Sequence, residues 1–342
     1  MSRISLSTIL VFSAACMPAG FMGGGGGSTW APSQAQTPDQ QAAPPDPSLV
    51  ATPSASSLGR LTNDDVTELR PALSPDGKAL LYAAWIPEVV DGSYTGNAAQ
   101  EMVMAINPET GANRKQLSTE RARSSSPDWL PDGKGVVFVS DAMGTSSLVR
   151  SMSRSSAGAT RLVLDGRNAP GIGGVRVSPD GTQVAFHTKD GDRYMVHTVG
   201  LNGAELTQVV EGSYPAWSPD GKQLVFQRSG DDGAKLFLVD AESGGGLTQL
   251  TVEGSAGQPS FSPDGKWIVF ASNLGWNRFP SGSADNTWNL YAIRTDGTEL
   301  TQLTDGARFT TEPCWGKDGW IYFNSNEGGT SDLWRLRPAL TP

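Results

Sequence analysis

One turn signal recurs through the chain at nearly even spacing, and it limits the fold more than any other feature. It reads Ser-Pro-Asp-Gly at 74–77, 178–181, 218–221 and 262–265, Leu-Pro-Asp-Gly at 130–133, and a degenerate Gly-Lys-Asp-Gly at 316–319. Its aspartates stand at 76, 132, 180, 220, 264 and 318, so the intervals are 56, 48, 40, 44 and 54 residues. The quartet is hairpin chemistry. Proline presets φ for the first central residue of a type I turn, aspartate suits the second, and glycine takes the left-handed position that closes the bulge. The aspartates are therefore read as turn formers, not metal ligands.

Short apolar segments flank each turn. Before it stands a strand a: PALS, PDWL, VRVS, PAWS, PSFS or PCWG. After it stands a strand b with an aromatic at a recurring position: Tyr82, Phe138, Phe186, Phe226, Phe270 or Phe323. A strand c follows, as in LFLVD at 236–240, then a strand d ending in Leu-Thr or a relative of it. With 41 glycines and 23 prolines in 342 residues, the composition suits many short strands and few long helices. Units of this length and content predict an all-β fold, a six-bladed β-propeller whose blades are four-stranded antiparallel sheets. The last unit ends after its strand c at Leu333–Leu336, while a spare strand d, Leu58–Asn63, precedes the first strand a. Pairing these two closes the ring and removes two open sheet edges.

The pattern WSPDGKQLVF, LFLVD, GGLTQLT between Trp217 and Thr251 resembles the TolB-type β-propeller repeat, and the resemblance covers 58–337. It implies an envelope protein that binds a Pal-like lipoprotein partner. TolB itself carries an α/β domain ahead of its propeller. Here 17–57 is instead rich in Gly, Pro, Ser and Gln, and reads as a disordered linker that cannot bury enough surface to order itself. Residues 1–16 read as a signal peptide: Arg3, an apolar run, then small residues. Ser13-Ala14-Ala15-Cys16 resembles a bacterial lipobox, which would lipidate Cys16. The expected location is exported: periplasmic or a membrane-anchored lipoprotein, possibly at the cell surface, touching membrane only through that lipid. Residues 338–342 form a short tail.

Net charge is −9, so the surface repels phosphate backbones and nucleic acid is not expected as a partner. Only Cys16 and Cys314 are cysteines, and His187 and His197 are the two histidines. That set is too small for a Cys/His zinc site, and no metal or other cofactor is expected. His197 stands where other blades have Phe237 and Tyr291, and His187 where they have Gln227 and Asn324, so both read as structural. Cys314 takes a small-residue position and reads as a buried thiol.

Function is expected on the b–c and d–a connections, which share one face. Two b–c stretches are long: Trp85–Glu101 and Asn273–Asn289. The candidate binding residues are Tyr94, Trp276, Arg278, Phe279 and Trp288 there, with Arg121, Arg123, Arg167, Arg308 and Phe309 on d–a loops. The reading from these is a monomeric, non-enzymatic binding module that docks a protein or peptidoglycan-associated partner. The alternative is a propeller-fold glycan lyase or hydrolase. A peptidase propeller also resembles the repeat, but that resemblance calls for an α/β-hydrolase domain.

Overall fold

The computed structural model describes residues 55–340 except 91–92, 119–121, 152–159, 275–286 and 306–308, with backbone alone at 87–90 and 93–99. Among these residues the chain forms six four-stranded antiparallel sheets. Blade 1 holds β2 (Thr67–Leu73), β3 (Leu80–Val90), β4 (Ser93–Ile106) and β5 (Lys115–Gln116). Blade 2 holds β6 (Ser124–Trp129), β7 (Val136–Ser140), β8 (Ser147–Ser151) and β9 (Thr160–Leu164). Blade 3 holds β10 (Gly173–Val177), β11 (Gln183–Asp190), β12 (Arg193–Gly200) and β13 (Thr207–Glu211). Blade 4 holds β14 (Ser213–Trp217), β15 (Gln223–Gly230), β16 (Gly233–Asp240) and β17 (Thr248–Gln249). Blade 5 holds β18 (Ala256–Phe261), β19 (Trp267–Ser272), β20 (Asn289–Arg294) and β21 (Thr301–Gln302). Blade 6 holds β22 (Thr310–Trp315), β23 (Ile321–Ser325), β24 (Asp332–Pro338) and, as its fourth strand, β1 (Ala55–Arg60).

The ring closes as expected. Leu58 pairs with Leu336, Gly59 with Arg335 and Arg60 with Trp334. The closing strand starts at Ala55, three residues earlier than the repeat implied. Its continuation also explains the recurring Leu-Thr. In blade 4 the Leu250 N–H donates to the Leu236 carbonyl at 2.8 Å, and Thr251 Oγ1 accepts from the Leu236 N–H at 2.9 Å. Leu303-Thr304 grips Leu290 the same way, and Leu117-Ser118 grips Val103. At the seam Leu61-Thr62 does this to Leu333, at 2.8 and 2.9 Å. The motif is a clamp that satisfies both backbone groups of one strand c residue after the ladder has ended.

The turn quartets act beyond their own hairpins. Each Ser Oγ donates to its aspartate, as Ser218 does to Asp220 Oδ1 at 2.6 Å, and accepts from the N–H five residues on, here Gln223 at 2.9 Å. Gly77, Gly133, Gly181, Gly221, Gly265 and Gly319 all have positive φ, between 66° and 83°. A Cβ on Gly181 would sit 3.2 Å from the Pro131 ring of the preceding blade, and one on Gly265 3.5 Å from Pro219. The turns thus also stack proline on glycine around the a–b face.

The core lies between blades. All six strand b aromatics are buried, none more than 2% exposed. His197 stacks on Phe186 at 5.5 Å, as Phe237 does on Phe226 and Tyr291 on Phe270. Inner strands are also tied across blades: Trp129 Nε1 donates to the Ala72 carbonyl at 3.0 Å and Trp217 Nε1 to that of Arg176 at 3.1 Å.

Truncating Phe226 to alanine opens a cavity between blades 3 and 4 and should cost about 3–5 kcal/mol in urea denaturation. Thr251→Val keeps the shape but leaves the Leu236 N–H without an acceptor, and should cost about 1–3 kcal/mol by the same measurement.

Candidate functional site

Every innermost strand is broken at one position. The pairing register shifts in β2, β6, β10, β14, β18 and β22 at a bulge. The bulged residue is left-handed in each blade: Arg70, Ser126, Gly174, Tyr214, Gln258 and Glu312, with φ between 49° and 59°. Five of the six precede a proline, whose missing N–H cannot serve the ladder and so forces a bulge. Five are not glycine, and a left-handed conformation costs each about 1–3 kcal/mol. Held strain of this kind, repeated around one ring, marks a built feature.

The ring is wired by hydrogen bonds from blade to blade. The Tyr214 N–H donates to His187 Nδ1 at 3.2 Å, and the Gln258 N–H to Gln227 Oε1 at 2.9 Å. The Glu312 N–H donates to Gln258 Oε1 at 3.1 Å, and the Arg70 N–H to Glu312 Oε2 at 2.9 Å. Asn324, with its amide oriented to match its neighbours, donates to Glu312 Oε2 at 3.0 Å. Arg70 Nε lies 3.4 Å from Glu312 Oε1, and the guanidinium also hydrogen-bonds the Tyr214 side chain, three blades away. Arg70 therefore reaches across the axis. Burial works against its charge, but Glu312, Tyr214 and Glu101 outweigh burial and hold it above the ordinary arginine pKa. Burial raises the Glu101 carboxyl, against the pull of Arg70 and Arg123.

His187 belongs to this ring. It is 6% exposed, edge-on to Tyr194 at 5.4 Å and tilted on Tyr214 at 4.9 Å. A Cβ on Gly173 or Gly174 would lie 2.8 or 2.7 Å from the imidazole, so glycine there makes room for the ring. Burial, then the charge of Arg70, lowers its pKa to about 3. With Nδ1 accepting from a backbone N–H, the neutral ring carries its proton on Nε2.

The predicted loop residues are placed less uniformly. Trp288 and Phe309 form a parallel bridge beside the blade 5–6 junction, and both are half-buried. Trp288 also packs on the apolar cluster around Trp267 and Leu303. Arg123 is exposed, and its N–H donates to Asp141 Oδ1 at 2.8 Å. Arg167 is exposed and pairs with its own loop's Asp165 at 2.5 Å. Tyr94 lies on β4, which together with β3 turns the 85–101 stretch into a long hairpin, not a loop. Arg121, Trp276, Arg278, Phe279, Arg308 and Cys16 lie outside the described residues. Cys314 is a free, half-buried thiol whose pKa burial raises. Among the described residues no group of three or more His, Cys, Asp or Glu could hold a metal ion.

No protein-family model matches the chain. In solved structures, a TolB-type protein from Agrobacterium tumefaciens superposes with a TM-score of 0.58 at 16% identity, over 84% of this chain and 100% of the other. TolB from Acinetobacter baumannii gives 0.52 at 16% identity, over 79% and 62%. The fold is that of the TolB-type β-propellers. Several curated relatives of this TolB-like propeller carry peptidase names, and an uncharacterized protein of Agrobacterium fabrum, 26% identical over 216 residues, does not. Dipeptidyl-peptidase 5 of Porphyromonas gingivalis is 34% identical over 130 residues, 38% of this chain and 17% of the relative. The peptidase YuxL of Bacillus subtilis, itself uncharacterized, is 27% identical over 279 residues, 80% of this chain and 32% of the relative. The chain spans less than a third of either relative's length. An acylaminoacyl peptidase from Pyrococcus horikoshii shares the fold at a TM-score of 0.51 and 16% identity, over 81% of this chain and 46% of that one.

These names overturn the expectation that the chain stands apart from enzymes: relatives that carry a functional name are named as peptidases. The expectation rested on the expected flexible tether, the long loops on one face and the lack of a catalytic set, with few histidines and cysteines, within the repeat. The repeat specifies how blades pack, and that scarcity has no bearing on what a propeller of this kind serves.

Replacing His187 with glutamine, the residue blade 4 uses for the same hydrogen bond, should preserve the fold. The histidine's folded-state pKa is depressed, so its contribution is complete above pH 6.5 and is lost as pH falls toward 3. The stability difference between wild type and H187Q should therefore shrink as pH drops from 7 to 5. A difference independent of pH in paired denaturation curves would refute the buried neutral ring.

Proposed function

We propose that the propeller is a peptide-recognition module of the peptidase-related group, receiving an extended segment of a protein partner or substrate on the face where the d–a and b–c connections emerge. The observation that supports it is the strained polar ring. Left-handed Arg70, Tyr214, Gln258 and Glu312 stand on the innermost strands, in or near the half nearer that face. They offer donors and acceptors side by side, which suits the alternating groups of a peptide backbone. Relatives named peptidases match 38% and 80% of this chain, and a peptide is the class of molecule those names imply.

Two features at the rim fit the same ligand. Trp288 and Phe309 offer an aromatic surface for side chains, and Arg123 an exposed charge. The β3–β4 hairpin rises from this face past the end of β2 and β5, so among the described residues its outer part has unpaired edges. An extended peptide can add to such an edge through main-chain hydrogen bonds. In this reading the protein is exported, and a lipid on Cys16 holds it at the envelope near its partner. No helix of the described residues is long and apolar enough to cross a membrane.

The test is a binding screen of the full-length protein against an extended-peptide library, by fluorescence anisotropy. Arg123→Ala and Trp288→Ala should each weaken binding at least several-fold, while R123A leaves the melting temperature unchanged. Binding of oligogalacturonides with no binding of any peptide would remove the proposal.

A further inference from the structure

The seam between blades 6 and 1 holds a buried cluster of ionisable groups separate from the axial ring. Glu68 on β2 is fully buried. Its Oε2 takes the Thr62 hydroxyl and, at 3.3 Å, the Leu333 N–H, so it touches both sides of the closing clamp. Its own N–H donates to the Ser331 carbonyl at 2.8 Å. Asp332, also fully buried, pairs with Arg60 of the closing strand at 2.5 Å. Thr330 Oγ1 donates to the Asp64 carbonyl at 2.9 Å and to Asp332 Oδ2 at 3.2 Å.

Charges in this cluster do not balance. Arg114 serves two carboxylates, Asp64 at 2.5 Å and Glu68 at 3.2 Å, and Arg60 serves Asp332. Three carboxylates thus face two guanidiniums, and Tyr82 on β3 adds a buried phenol beside Glu68. Glu68 Oε1 has the Arg114 ion pair at 3.2 Å, while the buried Tyr82 Oη, Asp332 Oδ1 and Arg60 Nε have no hydrogen-bond partner among the described residues. A surplus negative charge on a cluster that includes two fully buried carboxylates calls for one more proton.

We propose that closure of the propeller ring is proton-linked: the seam takes up a proton at Glu68 when β1 docks on β24, and it loosens as that proton leaves. The groups facing Glu68 are Thr62, Asp64, Arg114, Tyr82 and the backbone of Leu333, with the Arg60–Asp332 pair behind them. Burial raises the Glu68 carboxyl to about 7, Thr62 and Arg114 opposing and Asp64 adding to it. A carboxyl raised on folding stabilises fully below its unfolded pKa, and that contribution fades as pH rises through the folded value. The seam is therefore tightest in mild acid and weakest above pH 7, where a carboxylate held only by ordinary ion pairs would be at its firmest.

Hydrogen exchange of the full-length protein, corrected for intrinsic rates, tests this at the Leu61 and Leu333 amides. From pH 6 to pH 8 their protection should fall about tenfold, as a folded pKa near 7 requires. In the E68Q variant it should change less than twofold, since the amide mimics the protonated acid. Wild-type protection that holds or rises over this range, or an equal fall in E68Q, would overturn the proposal. If E68Q does not fold, carbon-13 NMR of glutamate-labelled wild type decides: a carboxyl titrating near pH 7 supports the proposal, and none above pH 6 overturns it.

Discussion

Blades cannot stand alone. Each presents an apolar face that only a neighbour can cover, and the strand b aromatic at the centre of that face is buried in all six. Chain order supplies a neighbour for every blade but the first and last. Joining those two through β1 makes the packing continuous, so the core behaves as one closed layer and not as a stack with open ends. The Leu-Thr clamps, the stacked turns and the indole links all depend on blades already lying side by side.

The architecture was legible because its signals are local and repeated. Proline-aspartate-glycine fixes a hairpin, the aromatic four or five residues after that glycine fixes a buried face, and recurrence fixes the count. The equivalence of His197 with Phe237 and Tyr291 was likewise readable, and the stacked pairs bear it out. Where the reading slipped, geometry beyond the repeat was at work. The 85–101 stretch is rich in glycine and polar residues, yet pairs into a hairpin because β3 and β4 run on past the blade.

The axial ring was missed for a more instructive reason. Strand a was read as beginning at proline, in PALS, PAWS, PSFS and PCWG. That cut off the residue before it, and Arg70, Tyr214, Gln258 and Glu312 all stand there. A proline repeated at one strand position is itself the signal of a bulge, and the preceding side chain is the one a bulge re-aims. His187, Gln227 and Asn324 were seen to share a position, but not that the first two accept from the next blade's bulge and the third binds the bulged Glu312 of its own blade. That contact is visible only once blades are placed around an axis.

The seam has a geometric consequence. β1 begins where β24 ends: Ala55 lies opposite Pro338, at the outer part of one blade. Strands of type c end and those of type d begin on the side away from the axial ring's mouth. The described chain therefore enters β1 and leaves β24 at the same corner, on the far side from the strained residues. An attachment at either end would hold the disc by its back and leave the opposite opening directed outward.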